Sequence, residues 1–345
     1  MRNSDVYSYV TNELARNEKL RVSAGRLAAR LVGAGCSRSP WYSPAPPMSA
    51  ILTEALTRNY GARRGVEAVD LSVPEGALFG FLGPNGAGKT TTIRVLLGFL
   101  RPTSGRARVL GLDAWGDARA IKQEVGSIPG DLRLYPWLTG HDALRLFGSI
   151  RRRDLRPRGR ELAEVFELDL RVRVRQMSRG MRQKLGLILA LAPRPRLLIL
   201  DEPSTALDPL MQDVLRRELR AMAATGHTVF FSSHTLAEVE ALCDSVAIVR
   251  EGRIVAAESL EQLRKRAGHE VTIRFGAEMP VAEPPEQLRN PAHQAGVLSG
   301  VWHGPTAGLI AWLHAQPVED VTITPPSLEA LFRGFYHADE REDGK

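Results

Sequence analysis

The chain has 345 residues, 43% hydrophobic and 25% charged, which is enough to bury a core in one large domain with appendages or in two domains. No stretch reaches the roughly 20 apolar residues that cross a bilayer as a helix; the nearest, residues 185–200, is broken by Pro193-Arg194-Pro195-Arg196. The formal charge of +7 suits nucleic acid, an anionic membrane face or an anionic ligand without choosing among them, and two cysteines, Cys36 and Cys243, give neither a disulfide framework nor a metal set.

Residues 1–47 differ in pattern from the rest of the chain. A short helix is expected at residues 13–31, then a proline- and serine-rich piece that reads as linker or disorder. No continuous apolar run precedes a cleavage motif, so no secretory signal is expected, and Met48 is an alternative start.

From residue 50 to about 255, short apolar runs alternate with helical patterns, giving an α/β domain. Strands are expected at residues 77–82, 197–200, 228–231 and 245–249. A helix is expected over residues 208–224, with Leu210, Val214, Leu215, Leu219 and Met222 as its apolar stripe. Residues 253–263 read as a short strand and an amphipathic helix, and Arg151-Arg152-Arg153 as an exposed loop or helix end. Beyond Gly268 strands are expected at residues 271–275 and 321–323, and a helical patch at 328–332. Residues 268–345 thus form a small α+β appendage, in which 294–312 has no defined pattern. No tandem repeat is visible.

The chemistry concentrates in GPNGAGKTT, residues 83–91, between an apolar run and a helical pattern. Strand, small-residue turn and helix are the context in which GxxxxGK[ST] works as a phosphate cradle. Gly83, Gly86 and Gly88 let the backbone curl its N–H groups inward, with Pro84, Asn85 and Ala87 completing the loop. The start of the following helix adds its positive end, Lys89 can reach the β and γ phosphates, Thr90 can ligate Mg²⁺, and Thr91 supports the helix start and phosphate shell. A glycine turn capping an ordinary helix is the plainer account.

A second constellation, LLILDE at residues 197–202, is a buried strand ending in two acids that face opposite ways. Asp201 can hold Mg²⁺ directly or through water; Glu202 can take a proton from the attacking water or orient it. A capped turn stopped by Pro203 is the alternative. His234, after the run at 228–231, can donate to a γ-phosphate, and Tyr60 can stack on adenine; alone, each is more often surface or packing.

Together these motifs resemble the nucleotide-binding subunit of an ATP-binding cassette transporter over about residues 50–265, because separate motifs recur in order. GPNGAGKT matches Walker A, LLILDEP Walker B, and Ser178-Arg179-Gly180-Met181 the signature usually written LSGGQ. Ser204-Thr205-Ala206-Leu207-Asp208 resembles the D-loop, and Ser233-His234 the switch histidine. The resemblance implies a P-loop NTPase fold of the cassette type with a helical subdomain. It further implies ATP and Mg²⁺ as ligands and head-to-tail pairing of two cassettes, most simply a homodimer. Ser178, Gly180 and Asp208 would then serve nucleotide in the pair.

The Q-loop departs from the family: Gly130 stands in place of glutamine and offers no carboxamide; Gln123 is out of register, and Asp131 is a candidate substitute. The segment at 134–139 is similar to that of ABC-2-type drug and antibiotic exporters, where a separate membrane permease docks. Tyr135 and Trp137 suit such a contact or core packing equally. The expectation is an ATPase that powers export of a drug, antibiotic or lipid-like compound from the cytoplasmic face of the membrane. No specific nucleic acid is expected. The alternatives are a soluble cassette ATPase acting on ribosomes or nucleic acid, and a regulatory nucleotide-binding module with weak turnover.

Overall fold

The computed structural model describes residues 49–61, 63–276, 283–294 and 296–325. The helix expected at residues 13–31 and the patch at 328–332 lie outside them. The chain begins with β1 (Ser49–Tyr60), β2 (Arg63–Pro74) and β3 (Leu78–Leu82), followed by α1 (Lys89–Leu96), β4 (Ser104–Val109), β5 (Leu112–Asp113), α2 (Ala118–Glu124) and β6 (Val125–Ile128). Three helices come next, α3 (Gly140–Arg151), α4 (Arg156–Val165) and α5 (Arg179–Leu191). The α/β alternation resumes with β7 (Leu197–Asp201), α6 (Pro209–Ala224), β8 (Thr228–Ser233), α7 (Leu236–Leu242), β9 (Ser245–Arg250), β10 (Arg253–Ser259) and α8 (Leu260–Ala267). The last elements are β11 (His269–Phe275), β12 (Leu288–Gln294), β13 (Val297–Trp302), α9 (Thr306–His314) and β14 (Val318–Thr324).

A six-stranded sheet ordered β10-β9-β3-β8-β7-β6 carries the site. Its inner strands are parallel, and β10 closes one edge antiparallel to β9. Both faces are covered, which is why β3 and β7, apolar up to the terminal Asp201 of β7, are buried at every residue. Successive side chains then sort into two cores. Leu198 and Leu200 of β7, with Val229 and Phe231 of β8, pack on the side of α3 to α8. Leu197, Ile199 and Phe230 pack on the other, against α1, α2 and the antiparallel sheet β2-β1-β4-β5.

The four strands expected in the cassette are present, each within a residue or two of its expected ends. The β1–β2 hairpin has no counterpart among the expected elements. Its register shifts repeatedly, with Ala55 and Ala68 at positive φ, so bulges interrupt the period-two pattern that would reveal it. In α6, Leu210 does not join the apolar stripe: it is 61% exposed, and Met211 takes the buried position. One residue turns a helix by about 100°, and Met211, Leu215, Leu219 and Met222 keep the face that Leu210 leaves.

Arg151 is likewise more than an exposed helix end. Half-buried, it donates to the carbonyls of Gln123 and Val125 at 3.2 and 2.7 Å, tying the end of α3 to the start of β6. Tyr135 and Trp137 stack on each other at 5.0 Å between ring centroids, and both are more than half exposed, so neither belongs to the core. Beyond α8, a four-stranded antiparallel sheet ordered β12-β13-β11-β14 packs on α9 through Val271, Ile273, Leu298, Trp302 and Leu309. The stretch at 294–312 without a sequence pattern is β13 and α9.

Candidate active site

The loop after β3 curls as its glycines predict. Gly86 and Gly88 sit at φ 84° and 104°. A Cβ on Gly88 would lie 2.6 Å from the Val66 side chain and 2.9 Å from the Gly65 carbonyl, so the loop needs glycine there for both its turn and its close approach. Lys89 opens α1 and is only 4% exposed. Its ammonium donates to the Gly83 and Pro84 carbonyls at 2.7 and 3.2 Å and lies 3.3 Å from Glu202 Oε1. A buried ammonium costs several kcal/mol unless paired; here the loop's own carbonyls and a carboxylate supply the pairing.

Strand parity delivers the two acids. Asp201 follows Leu197 and Ile199 at spacing two, so it faces α1. Thr90 Oγ1 donates to Asp201 Oδ2 at 2.8 Å, and Ser232 Oγ to Asp201 Oδ1 at 2.6 Å, the latter from the same face of β8 as Phe230. Both carboxylate oxygens are therefore oriented, although Asp201 is 2% exposed. Glu202 leaves the strand at φ 48°, a conformation rare outside glycine, asparagine and aspartate. Its N–H donates to both the carbonyl and the hydroxyl of Ser232, at 3.2 and 3.1 Å. The bend swings the carboxylate between Lys89 and His234, whose Nδ1 lies 3.4 Å from Glu202 Oε2.

Pro84, Asn85, Gly86, Gly88, Lys89, Thr90 and Thr91 line one cavity of about 500 Å³ together with Tyr60 and Glu202. Gly83 and Ala87 lie beneath it and seat the loop, through Gly83 N–H to the Ser233 carbonyl and Gly252 N–H to the Ala87 carbonyl. Tyr60 is 41% exposed at the cavity rim, its hydroxyl 3.5 Å from Thr91 Oγ1 and its ring backed by the Arg58 guanidinium at 5.1 Å. One ring face is thus braced by a cation while the side chain stays accessible. Thr90 in the cavity wall and Asp201, hydrogen-bonded to it, supply oxygens that fit Mg²⁺, which takes one or two protein oxygens and fills its remaining positions from phosphate and water.

Asp201 and His234 reach the cavity only through their partners Thr90 and Glu202, and three further expected residues lie apart from this cluster. Ser178 caps α5, accepting from Met181 N–H at 3.1 Å, and Asp208 caps α6, accepting from Met211 N–H at 2.9 Å. Gly180, in the first turn of α5, packs so closely on the Ala206 carbonyl that a Cβ would lie 2.8 Å from it. Gln183 Nε2 donates to the Pro203 carbonyl at 2.9 Å, so the signature helix is fastened to the turn that follows Glu202.

A second cavity of about 490 Å³ opens on the other side of Glu202, with Gly130, Arg133, Arg175, Arg179 and Arg182 in its wall. Asp131, also in that wall, pairs with Arg133 at 2.8 Å. A Cβ at Gly130 would approach Asp201 Oδ2 to 3.2 Å, so the glycine admits the loop against the buried acid. Ser232, Gly65 and these arginines carry no role in the sequence motifs as read above; Ser232 and Arg179 stand beside residues that do, which is the signal that would find them.

A P-loop at the carboxyl ends of parallel strands, facing a buried aspartate and a glutamate at the tip of β7, one strand removed from β3, defines a nucleotide-binding α/β protein of the P-loop class. The profile of the family described as ABC transporter matches residues 66–205. An uncharacterized ABC transporter ATP-binding protein of Synechocystis is 34% identical over 277 residues, covering 77% of each chain. The bacitracin transport ATP-binding protein BcrA of Bacillus licheniformis is 38% identical, covering 64% of this chain and 73% of its own. A daunorubicin resistance ATP-binding protein of Streptomyces coeruleorubidus, DrrA2, is 32% identical, covering 86% of this chain and 98% of its own. A solved ATP-binding subunit of an ABC transporter superposes with a TM-score of 0.60 at 30% identity, covering 63% of this chain and 93% of that one. The chain belongs to the ABC transporter ATP-binding proteins, and its cassette binds ATP. No described helix is long and apolar enough to cross a membrane.

Proposed function

We propose that this chain is the ATP-hydrolysing subunit of an export complex whose membrane permease is a separate protein. The observation that carries hydrolysis is the placement of Glu202: bent out of β7, 3.3 Å from the Lys89 ammonium and 3.4 Å from His234, at the margin of the phosphate cavity. Lys89 and the loop N–H groups hold the β and γ phosphates, Tyr60 receives the adenine, and Thr90 and Asp201 hold Mg²⁺, which neutralises phosphate charge when bound. Glu202 accepts a proton from water as its oxygen attacks the γ-phosphorus; the β–γ bridging bond breaks, and ADP and phosphate leave. His234 steadies the γ-phosphate through a hydrogen bond. Such a step needs positioning and charge stabilisation more than covalent chemistry. Measured ATP turnover tests this: Glu202→Gln should lower it about 100-fold while ATP binding persists, and unchanged turnover would remove Glu202 as the base and favour a weakly active regulatory module.

Two copies pair head to tail, so that Ser178, Gly180 and Asp208 of each serve nucleotide bound by the other. Their positions at exposed helix starts outside their own chain's cavity support this. The permease docks at the stacked Tyr135–Trp137 surface beside the arginine-lined cavity, which holds the subunit peripherally at the cytoplasmic face of the membrane. The relatives named for bacitracin transport and daunorubicin resistance support a drug or antibiotic as cargo, or a lipid-like compound of similar character. None of these relatives supports the ribosome or nucleic-acid alternative.

A further inference from the structure

We propose that Glu238, which touches neither the phosphate cavity nor the arginine-lined one, is a positioning residue for hydrolysis: one carboxylate clamps the turn after Glu202 to the segment that carries His234. The inference rests on the hydrolysis reading and extends it. Glu238 lies on α7, and its two oxygens accept from two different hydroxyls, Ser204 Oγ at 2.7 Å and Ser233 Oγ at 2.5 Å. Both serines are buried, Ser233 entirely. A buried hydroxyl without a partner costs about 1–3 kcal/mol; Ser204 donates to Glu238, and Ser233, whose other acceptor is the Thr235 carbonyl at 3.2 Å, makes its shorter bond to the carboxylate, where hydrogen bonds are the strong kind.

The arrangement follows from alternation on β8. Ser232 faces the α1 side with Phe230 and orients Asp201, whereas Ser233 faces the opposite side with Val229 and Phe231, where α7 packs through Val239 and Leu242. Among the described residues no lysine or arginine forms an ion pair with Glu238, so its charge is spent on the two serines rather than on a salt bridge.

Each end of the clamp is tied to the site. Ser204 lies two residues past Glu202, in a turn closed by Thr205 N–H donating to the Glu202 carbonyl at 3.2 Å. Ser233 immediately precedes His234, and its carbonyl accepts from Gly83 N–H at 3.2 Å. The same turn continues to Ala206, whose carbonyl meets Gly180 at the start of the signature helix. Fixing Ser204 against Ser233 therefore holds the base, the histidine and the signature turn in one register.

The test uses the purified full-length chain, with ATP turnover and fluorescent-nucleotide affinity measured side by side. Glu238→Ala should lower kcat about tenfold, because displacements well under 1 Å carry costs of that order, while ATP affinity stays within about twofold. Glu238→Gln should recover turnover to within about threefold of wild type, since a carboxamide still meets both hydroxyls. Ser204→Ala and Ser233→Ala should each slow turnover and combine less than additively, as members of one unit do. These two also decide the matter if Glu238→Ala does not fold. Wild-type turnover in Glu238→Ala, or in the double serine variant, with Glu202→Gln inactive, would overturn the clamp and leave the hydrolysis reading intact. Wild-type turnover in Glu202→Gln would overturn both.

Discussion

The two halves of the proposed nucleotide machinery are built in opposite ways. Around Lys89 every polar group is held by another: the ammonium by two loop carbonyls and Glu202, Asp201 by Thr90 and Ser232. Around Ser178 the groups are held from behind and open in front. The serine caps its own helix, Gly180 rests on Ala206, and Arg175, Arg179 and Arg182 have no acidic partner among the described residues. A site interlocked within the chain binds nucleotide by itself, whereas a surface braced only from behind is shaped to meet something else. On the proposed head-to-tail pairing, the difference separates what one copy would do from what a pair would do.

Substitutions in each half should therefore give different kinetic signatures. The largest effect is expected from Lys89→Ala: removing the buried ammonium that meets the phosphates should weaken ATP binding at least about 100-fold, read by fluorescent-nucleotide titration. If tight binding survived, the interlocked half would not be the nucleotide site.

Ser178→Ala belongs to the open half. It should lower turnover at saturating ATP about tenfold, in line with loss of one phosphate donor, and cost about 1 kcal/mol of helix-cap stability. ATP affinity of the monomeric chain should not change; a drop in that affinity would erase the distinction between the halves. Tyr60→Ala removes a stacking face at the rim of the interlocked half and should weaken ATP about fivefold, the low end for a base–aromatic contact, without altering kcat.

The smallest effect is expected at the boundary between the halves. Gly130→Ala puts a Cβ 3.2 Å from Asp201 Oδ2, and because that carboxylate is held from two sides it can give way only by tenths of an ångström. Turnover should fall about twofold to threefold, a few tenths of a kcal/mol in barrier, with the Mg²⁺ requirement shifted to higher concentration. Steady-state ATPase assays across a Mg²⁺ titration would show it.

Legibility in the sequence follows the same division. The phosphate loop spans nine consecutive residues, and the two acids end one uninterrupted apolar strand, so local spacing revealed them. Glu238 reaches Ser204 across 34 positions, and the turn at Ala206 finds Gly180 only after folding. The stacked pair Tyr135–Trp137 shows why residue type alone leaves alternatives open: aromatics pack in cores and on docking faces alike, and only their exposure distinguishes the two.

What the sequence determined by itself was four strands of the central sheet, the helix over residues 208–224 and the identity of the phosphate loop, because hydrophobic period and glycine conformation act over a few residues at a time. The tertiary structure decided which oxygen of Asp201 meets Thr90, how Gly130 backs onto that acid, and where Glu238 gathers its two serines. Those pairings depend on which face of one strand meets which helix, a relation between distant segments that forms only when both faces of the central sheet are buried.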